Sequence, residues 1–437
     1  MTRPPSVDRL ARAVADDALP HPLAVETARQ AIADDRVDEI AVLAAERKRR
    51  LLTPVVNATG VLLHTNLGRA PVGYGQAAGY TNLELDLATG RRGSRQQAVG
   101  DVLATLCGAE AAMVVNNGAA AVLLALAALA GPGADPGPGT VLVSRGELVE
   151  IGGGFRIPDV MAQSGAGLIE VGTTNRTRLA DYRRAASADP TVTTVLSVHR
   201  SNYDIVGFTE STPVAELATL DLGLIVDLGS GLIDRSCPWL PGPPPAWLDG
   251  EPAVRQTLEA GADLVIFSGD KLFGGPQAGV LVGRRQLIER CGRHPLARAL
   301  RPGGLVLGAL QAVSLAYLRR DGDSIPFWRM ATTTVERLQV RAEAIVGAAP
   351  PRLGAAVTAT EAVCGGGTRP LATIPSVGVR VPGDRLDRLR AVTPPVIGRI
   401  SGGATVLDLR TVDPDEDAAV ASALAGLADR DGTEAER

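Results

Sequence analysis

Lysine is almost missing from this sequence. It occurs twice, at Lys48 and Lys271, while arginine supplies the rest of the 44 basic residues. Where a positive charge is all that is needed, this chain uses arginine. A lysine kept against that background marks a place where a permanent charge would not serve, because only an amine can shed its proton and condense with a carbonyl. Cysteine is sparse too. Cys107, Cys237, Cys291 and Cys364 lie far apart with no CxxC pair, which argues against a zinc site and a disulfide framework. His21, His64, His199 and His294 are equally scattered, so no metal cluster is expected. There is no apolar run long enough to span a bilayer, and the opening "MTRPPSVDRL" lacks the apolar core of a signal peptide, so the chain is expected in the cytoplasm. The net charge of −4 provides no general basic field for nucleic acid, which leaves only local patches for that purpose.

What is present is the ordinary composition of a globular protein, with 45% apolar and 21% charged residues over 437 positions, enough for two or three domains. Residues 1–50 read as a small helical unit: Ser6 can cap "VDRLARAVADDA", His21-Pro22 opens the next helix, and "VDEIAVLAAERKRRLL" ends in a basic cluster. From 51 to 300 short apolar runs ("AAMVV", "TVLVS", "GLIEV", "VTTVLSV", "LGLIVDL", "ADLVIFS") alternate with helical stretches, the pattern of an α/β domain on a mostly parallel sheet. "QAGVLVG" follows too closely for a crossover and is expected to pair antiparallel or begin at an edge. Residues 301–428 read as a small α+β domain with strands at "SVGVRV", "PPVIGRI" and "TVLDLR", and 429–437 as a disordered tail.

In such sheets ligands sit beyond the carboxyl ends of the strands. After "MVV" come Asn116, Asn117, Gly118 and Ala119, opening a helix whose free N–H groups suit a phosphate. The run "LGLIV" ends in Asp227-Leu228-Gly229, and "ADLVIF" in Ser268-Gly269-Asp270-Lys271. A phosphate cradle, an acid and a scarce amine are together what pyridoxal phosphate requires: a cup, a partner for its ring nitrogen and a lysine for its Schiff base. Their order along the chain resembles the aspartate-aminotransferase-like, fold type I class of these enzymes.

Longer motifs narrow the resemblance. "NATGVLLHTNLGRAP", "GRRGSR", "VVNNGAAAVLL", "VSRGELVEIGGGFRIPDV", "VGTTNRT", "SNYDIVGF", "VDLGSG", "FSGDKLFGGPQAG", "HPLARALR" and "PPVIGRI" together resemble the bacterial selenocysteine synthase family, over about residues 6–412. The resemblance implies Lys271 as the Schiff-base lysine and Asp227 as the pyridine partner, with Ser268, Asn117, Gly118 and Ala119 in the phosphate cup. Arg145, in the segment after "VLVS", and His199 are implied neighbours of the cofactor ring. Arg92, Arg95, Arg298 and Arg301 become candidates for an oxyanion such as selenophosphate, the last two on one helical face if "LARALR" is helical. In place of a short acidic and basic element that the family carries after "HPLxRALR", this chain has Pro302-Gly303-Gly304.

The implied activity is conversion of seryl-tRNA(Sec) to selenocysteinyl-tRNA(Sec), by β-elimination of the serine hydroxyl and addition of selenium. The helical unit would grip tRNA(Sec), and the enzyme would be a homo-oligomer built from dimers, with a decamer as one candidate ring. Two alternatives stand beside it. One is a paralogous small-molecule ammonia-lyase of the same fold; the other is a tRNA-binding protein without catalysis, which would have no need of Lys271 and Asp227.

Overall fold

The computed structural model describes residues 6–435 apart from 77, 135, 136, 153 and 204. Three helices come first: α1 (Val7–Val14), α2 (His21–Ala33) and α3 (Ile40–Arg49). The Ser6 hydroxyl accepts the Arg9 N–H at 3.4 Å, capping α1 as the sequence suggested. Their apolar faces close on Leu10, Leu19, Ala24, Ala28 and Ala44, a core separate from the rest of the chain. Lys48 is paired with Asp16, and Arg47 with Glu26 at 3.1 Å, while Arg49 and Arg50 at the end of α3 are exposed.

A short strand, β1 (Val61–Leu63), then precedes helix α4 (Gln97–Cys107) and β2 (Ala111–Val115), which leads straight into α5 (Gly118–Leu129). The apolar runs follow as β3 (Thr140–Ser144), β4 (Gly167–Val171), β5 (Val192–Val198), β6 (Gly223–Gly229), β7 (Leu264–Ser268) and β8 (Gly279–Gly283). Their order in the sheet is β2-β8-β7-β6-β5-β3-β4. β3 to β7 pair in parallel, whereas β8 lies antiparallel between β7 and β2. The expected antiparallel pairing of "QAGVLVG" is therefore observed, at an interior position. Both faces of the sheet are covered, which is why its inner strands read as unbroken apolar runs.

Beyond the sheet come α6 (Gly304–Leu318), packed on α4, and α7 (Val335–Ala348), packed on the strands that follow. Those strands are β9 (Ala356–Gly365), β10 (Thr368–Pro382), β11 (Arg399–Ser401) and β12 (Ala404–Asp408). They form a second sheet in the order β11-β12-β10-β9-β1. β1 thus joins the C-terminal sheet, alongside β9, and Val56–Asn57 pairs in parallel with Val396–Ile397. The spans 51–300 and 301–428 are accordingly interleaved in space. β9 carries little sequence signal: half of "AVTATEAVCG" is alanine or threonine, and its partner β10 supplies most of the large apolar side chains. The last helix, α8 (Asp417–Ala435), runs into the tail expected to be disordered over 429–437, of which 436 and 437 lie outside the described residues. A helix once nucleated extends at little cost per residue, a context that tail composition does not carry.

Aromatic residues make up only 3% of the chain, yet all three tryptophans meet in one cluster. Trp239, Trp328, Tyr317 and Phe273 pack there beneath the loop that carries Lys271. The Trp328 indole donates to the Tyr317 hydroxyl at 2.6 Å, and that hydroxyl donates to the Phe273 carbonyl at 2.9 Å. The lysine loop is held from below by a satisfied polar contact inside an apolar layer.

Candidate active site

The carboxyl ends of β2, β5, β6 and β7 open on one cleft of about 320 Å³. Asn117, Gly118 and Ala119 enter it from the start of α5, His199 from the end of β5, Asp227 from β6, and Ser268 and Lys271 from β7 and the loop beyond. Seven of the site residues read from the sequence therefore converge.

At the mouth of α5 the Asn117 side chain accepts the Ala120 N–H at 2.8 Å, which fixes the first turn and leaves the N–H groups of Gly118 and Ala119 facing the cleft. A β-carbon on Gly118 would lie 2.8 Å from the Ser268 hydroxyl, so only glycine lets that hydroxyl stand against the helix N-terminus. Gly229 has φ +64°, and a β-carbon there would point toward Lys271 Nζ at 3.6 Å. The turn after β6 thus needs glycine for its backbone and leaves room for the amine.

The charges in the cleft are tuned by burial. Lys271 is 5% exposed, and loss of solvent pulls its ammonium below the usual lysine range against the opposing pull of Asp227. Asp227 is pushed up to about 6 by burial, partly countered by Lys271, by the Gly229 N–H that it accepts at 3.1 Å, and by His199. Neither group is at ease as an ion until a partner enters. A cationic ring nitrogen beside Asp227 and a carbonyl for Lys271 would relieve both, and the helix N-terminus with Ser268 would take a phosphate. The residues present fit pyridoxal phosphate.

Sequence reasoning missed several neighbours, two of them charged. Arg69, with φ +66°, reaches into the cleft and pairs with buried Asp270 at 2.6 Å, fixing the residue before the lysine. Its signal was the motif "NLGRAP", which carried the resemblance without singling out the arginine. Glu251, 1% exposed, stands behind His199 with Oε1 3.5 Å from the imidazole Nε2. It comes from the turn "DGEPAV", which bears no mark of a site.

Arg145 does not join the cleft. Its guanidinium donates to the Gly172 carbonyl at 2.7 Å and to Glu170 at 3.2 Å, over the edge strand β4. The tight turn after β3, held by the Ser144 hydroxyl on the Gly146 N–H, sends Glu147 inward instead, where it accepts the Val198 N–H at 2.8 Å. Burial pushes the Glu147 carboxyl up to about 7.

Three of the four other arginines gather on one carboxylate. Glu84 binds Arg92 at 2.8 Å and Arg95 at 2.9 Å, with Arg301 at 3.5 Å. Arg298 is exposed on a helix that ends at Ala299, so it does not share a helical face with Arg301. Two causes end that helix: the Leu300 carbonyl is taken by the Asn116 N–H at 2.9 Å, and the residue before Pro302 disfavours helical backbone. The Pro302 carbonyl accepts from Arg95 at 3.2 Å and Gly303 precedes α6, so Pro302-Gly303-Gly304 acts here as a joint between the arginine cluster and that helix.

Strand order, antiparallel β8 and a buried lysine opposite an aspartate define a fold type I pyridoxal-phosphate enzyme. A solved structure titled D-glucosaminate-6-phosphate ammonia-lyase shares the fold, with a TM-score of 0.58 at 21% identity, covering 87% of this chain and 96% of that one. Residues 55–413 match the L-seryl-tRNA selenium transferase family. Curated relatives named L-seryl-tRNA(Sec) selenium transferase include one from Geobacter metallireducens, 45% identical over 86% of this chain and 84% of its own. Another, from Solidesulfovibrio magneticus, is 47% identical over 85% and 81%, and a third, from Nitratidesulfovibrio vulgaris, is 43% identical over 92% and 90%. The chain belongs to the L-seryl-tRNA selenium transferase family.

Proposed function

We propose that this protein replaces the hydroxyl of serine on tRNA(Sec) with selenium from selenophosphate, using pyridoxal phosphate. The observation that carries the chemistry is the buried pair of Lys271 and Asp227 in one cleft with the open N-terminus of α5. Family membership supports the substrate.

The cofactor supplies an electron sink for the pair left when the serine α-proton is removed. Lys271 would anchor it and, once its amine is freed, take that proton on Nζ and return one at the end; burial lowers the basicity of this amine. Asp227 would hold the proton on the ring nitrogen. The N–H groups of Gly118 and Ala119, with the Ser268 hydroxyl and the Asn117 cap, hold the phosphate. His199 lines the same cleft, where it would neighbour the cofactor ring. A serine esterified to tRNA has no free carboxylate, so no arginine clamp for that group is required.

Arg92, Arg95 and Arg301 bring three positive charges to the single charge of Glu84, and this excess, with exposed Arg298 on the preceding helix, is suited to an oxyanion donor. The helical unit of residues 1–50, with Arg49 and Arg50 exposed at its end, is the proposed grip on tRNA. Assembly as a homo-oligomer built from dimers in the cytoplasm completes the reading. Among the described residues no helix is long and apolar enough to cross a membrane. The test is direct comparison of seryl-tRNA(Sec) with seryl-tRNA(Ser): selective binding and selenium incorporation are expected on the first alone, and equal binding to both would overturn the assignment.

A further inference from the structure

Glu251 is a costly residue with no duty yet. It is 1% exposed, and neither carboxylate oxygen receives a hydrogen bond. An ionised carboxylate in that state is strongly disfavoured unless a cation faces it. The nearest candidate is His199, whose Nε2, also without a partner, is 3.5 Å away. The imidazole forms part of the wall between the cofactor cleft and a smaller cavity of about 140 Å³ that holds Glu251. On the cofactor side the His199 backbone N–H donates to the Asp227 carbonyl at 2.8 Å.

We propose that Glu251 is a positioning residue: it holds the His199 imidazole as a cation beside Asp227, so that the Asp227 carboxylate stays ionised and ready for a protonated ring nitrogen. The other charged or titratable groups around the pair are Lys271 and Cys364 on the Glu251 side and Arg200 and Arg369 in the small cavity. Lys271 is committed to the cofactor. The Arg369 Nε donates to the Trp247 carbonyl at 3.2 Å, which ties down the turn that carries Glu251. The inference rests on the assignment of Asp227 to the cofactor's ring nitrogen.

The experiment is an absorbance titration of the apoprotein with pyridoxal phosphate across pH 5 to 9. Wild type, Glu251→Gln, Glu251→Asp, His199→Gln and the double variant Glu251→Gln/His199→Gln are compared. Losing the imidazolium raises the Asp227 pKa, so the acid fall in affinity should move up by about one pH unit in Glu251→Gln and in His199→Gln. The double variant should match His199→Gln, and Glu251→Asp should lie nearer to wild type. A Glu251→Gln curve that overlays wild type overturns the proposal, as does an equal further shift on the His199→Gln background, which would mean that Glu251 acts elsewhere. Should Glu251→Gln not fold, an unshifted His199→Gln curve is enough to overturn it. A wild type with no acid fall, matched by Asp227→Asn, would instead remove Asp227 from the site and the proposal with it.

Discussion

The Ser268 hydroxyl stands 2.8 Å from the point that a β-carbon on Gly118 would occupy. Strand β7 and helix α5, distant in sequence, thus meet at a spot where one methyl group decides what fits. Gly118→Ala should push the hydroxyl aside and weaken pyridoxal phosphate binding roughly tenfold, the loss of about one good hydrogen bond to a charged group. Equilibrium dialysis measures it; unchanged affinity would place the phosphate elsewhere.

Lys271→Ala should lose both the yellow colour of lysine-bound cofactor and turnover. Lys271→Arg should restore neither, since charge was never the requirement. A colour that survives in the alanine variant would assign the attachment to another group.

Asp227→Asn keeps the shape and removes the charge. Cofactor should still bind, though more weakly, while exchange of the substrate α-proton slows by roughly 100-fold or more, because the ring nitrogen loses the group that keeps it protonated. The wild type carries a related pH signature. Burial raises the Asp227 carboxyl to about 6 in the cleft without cofactor, so affinity for pyridoxal phosphate should fall as pH drops through that value and the carboxylate takes up a proton. A flat acid limb would contradict the assignment.

Glu147 makes a prediction about stability. Burial lifts its carboxyl from 4.5 to about 7, so the folded protein prefers it neutral. A carboxyl raised on folding imposes no penalty below its unfolded pKa and a growing one up to its folded pKa. Glu147→Gln should therefore be worth up to about 3 kcal/mol more at pH 8 than at pH 5, relative to wild type. Thermal melts at the two pH values test this, and parallel curves would mean that the carboxylate is stabilised when ionised.

Removal of residues 1–50 tests the tRNA grip. Every cofactor residue lies beyond them, so the truncated protein should keep its colour yet lose turnover of seryl-tRNA(Sec), with weaker tRNA binding. Binding by the full chain should fall with salt as phosphate contacts release counterions. A folded, coloured truncation that binds tRNA as tightly as the full chain would end that role.

The strands of the central sheet and the groups at their ends were legible because each is local: an apolar run followed at once by a residue that lines the cleft. Asn117, Asp227 and Lys271 needed no more than that rule. Arg69 and Glu251 arrive from loops whose place is fixed by packing of distant segments, and their neighbours in sequence say nothing about it. Arg145 obeyed the strand-end rule in position but not in direction, because a tight turn and the Gly172 carbonyl draw it outward. The pairing of Arg298 with Arg301 failed on a backbone detail, the lost Leu300 carbonyl, which periodicity cannot register.

The crossing of β1 into the C-terminal sheet has a mechanical consequence. The C-terminal sheet is joined to the central one by two crossings of the chain, one on each side of the core segment. It also means that no cut at residue 300 can release a native half: the downstream piece would lack its edge strand and leave β9 bare for pairing with another chain. The same wiring ties the C-terminal sheet to the cleft: the loop just after β1 carries Arg69, whose ion pair with Asp270 lies beside the lysine.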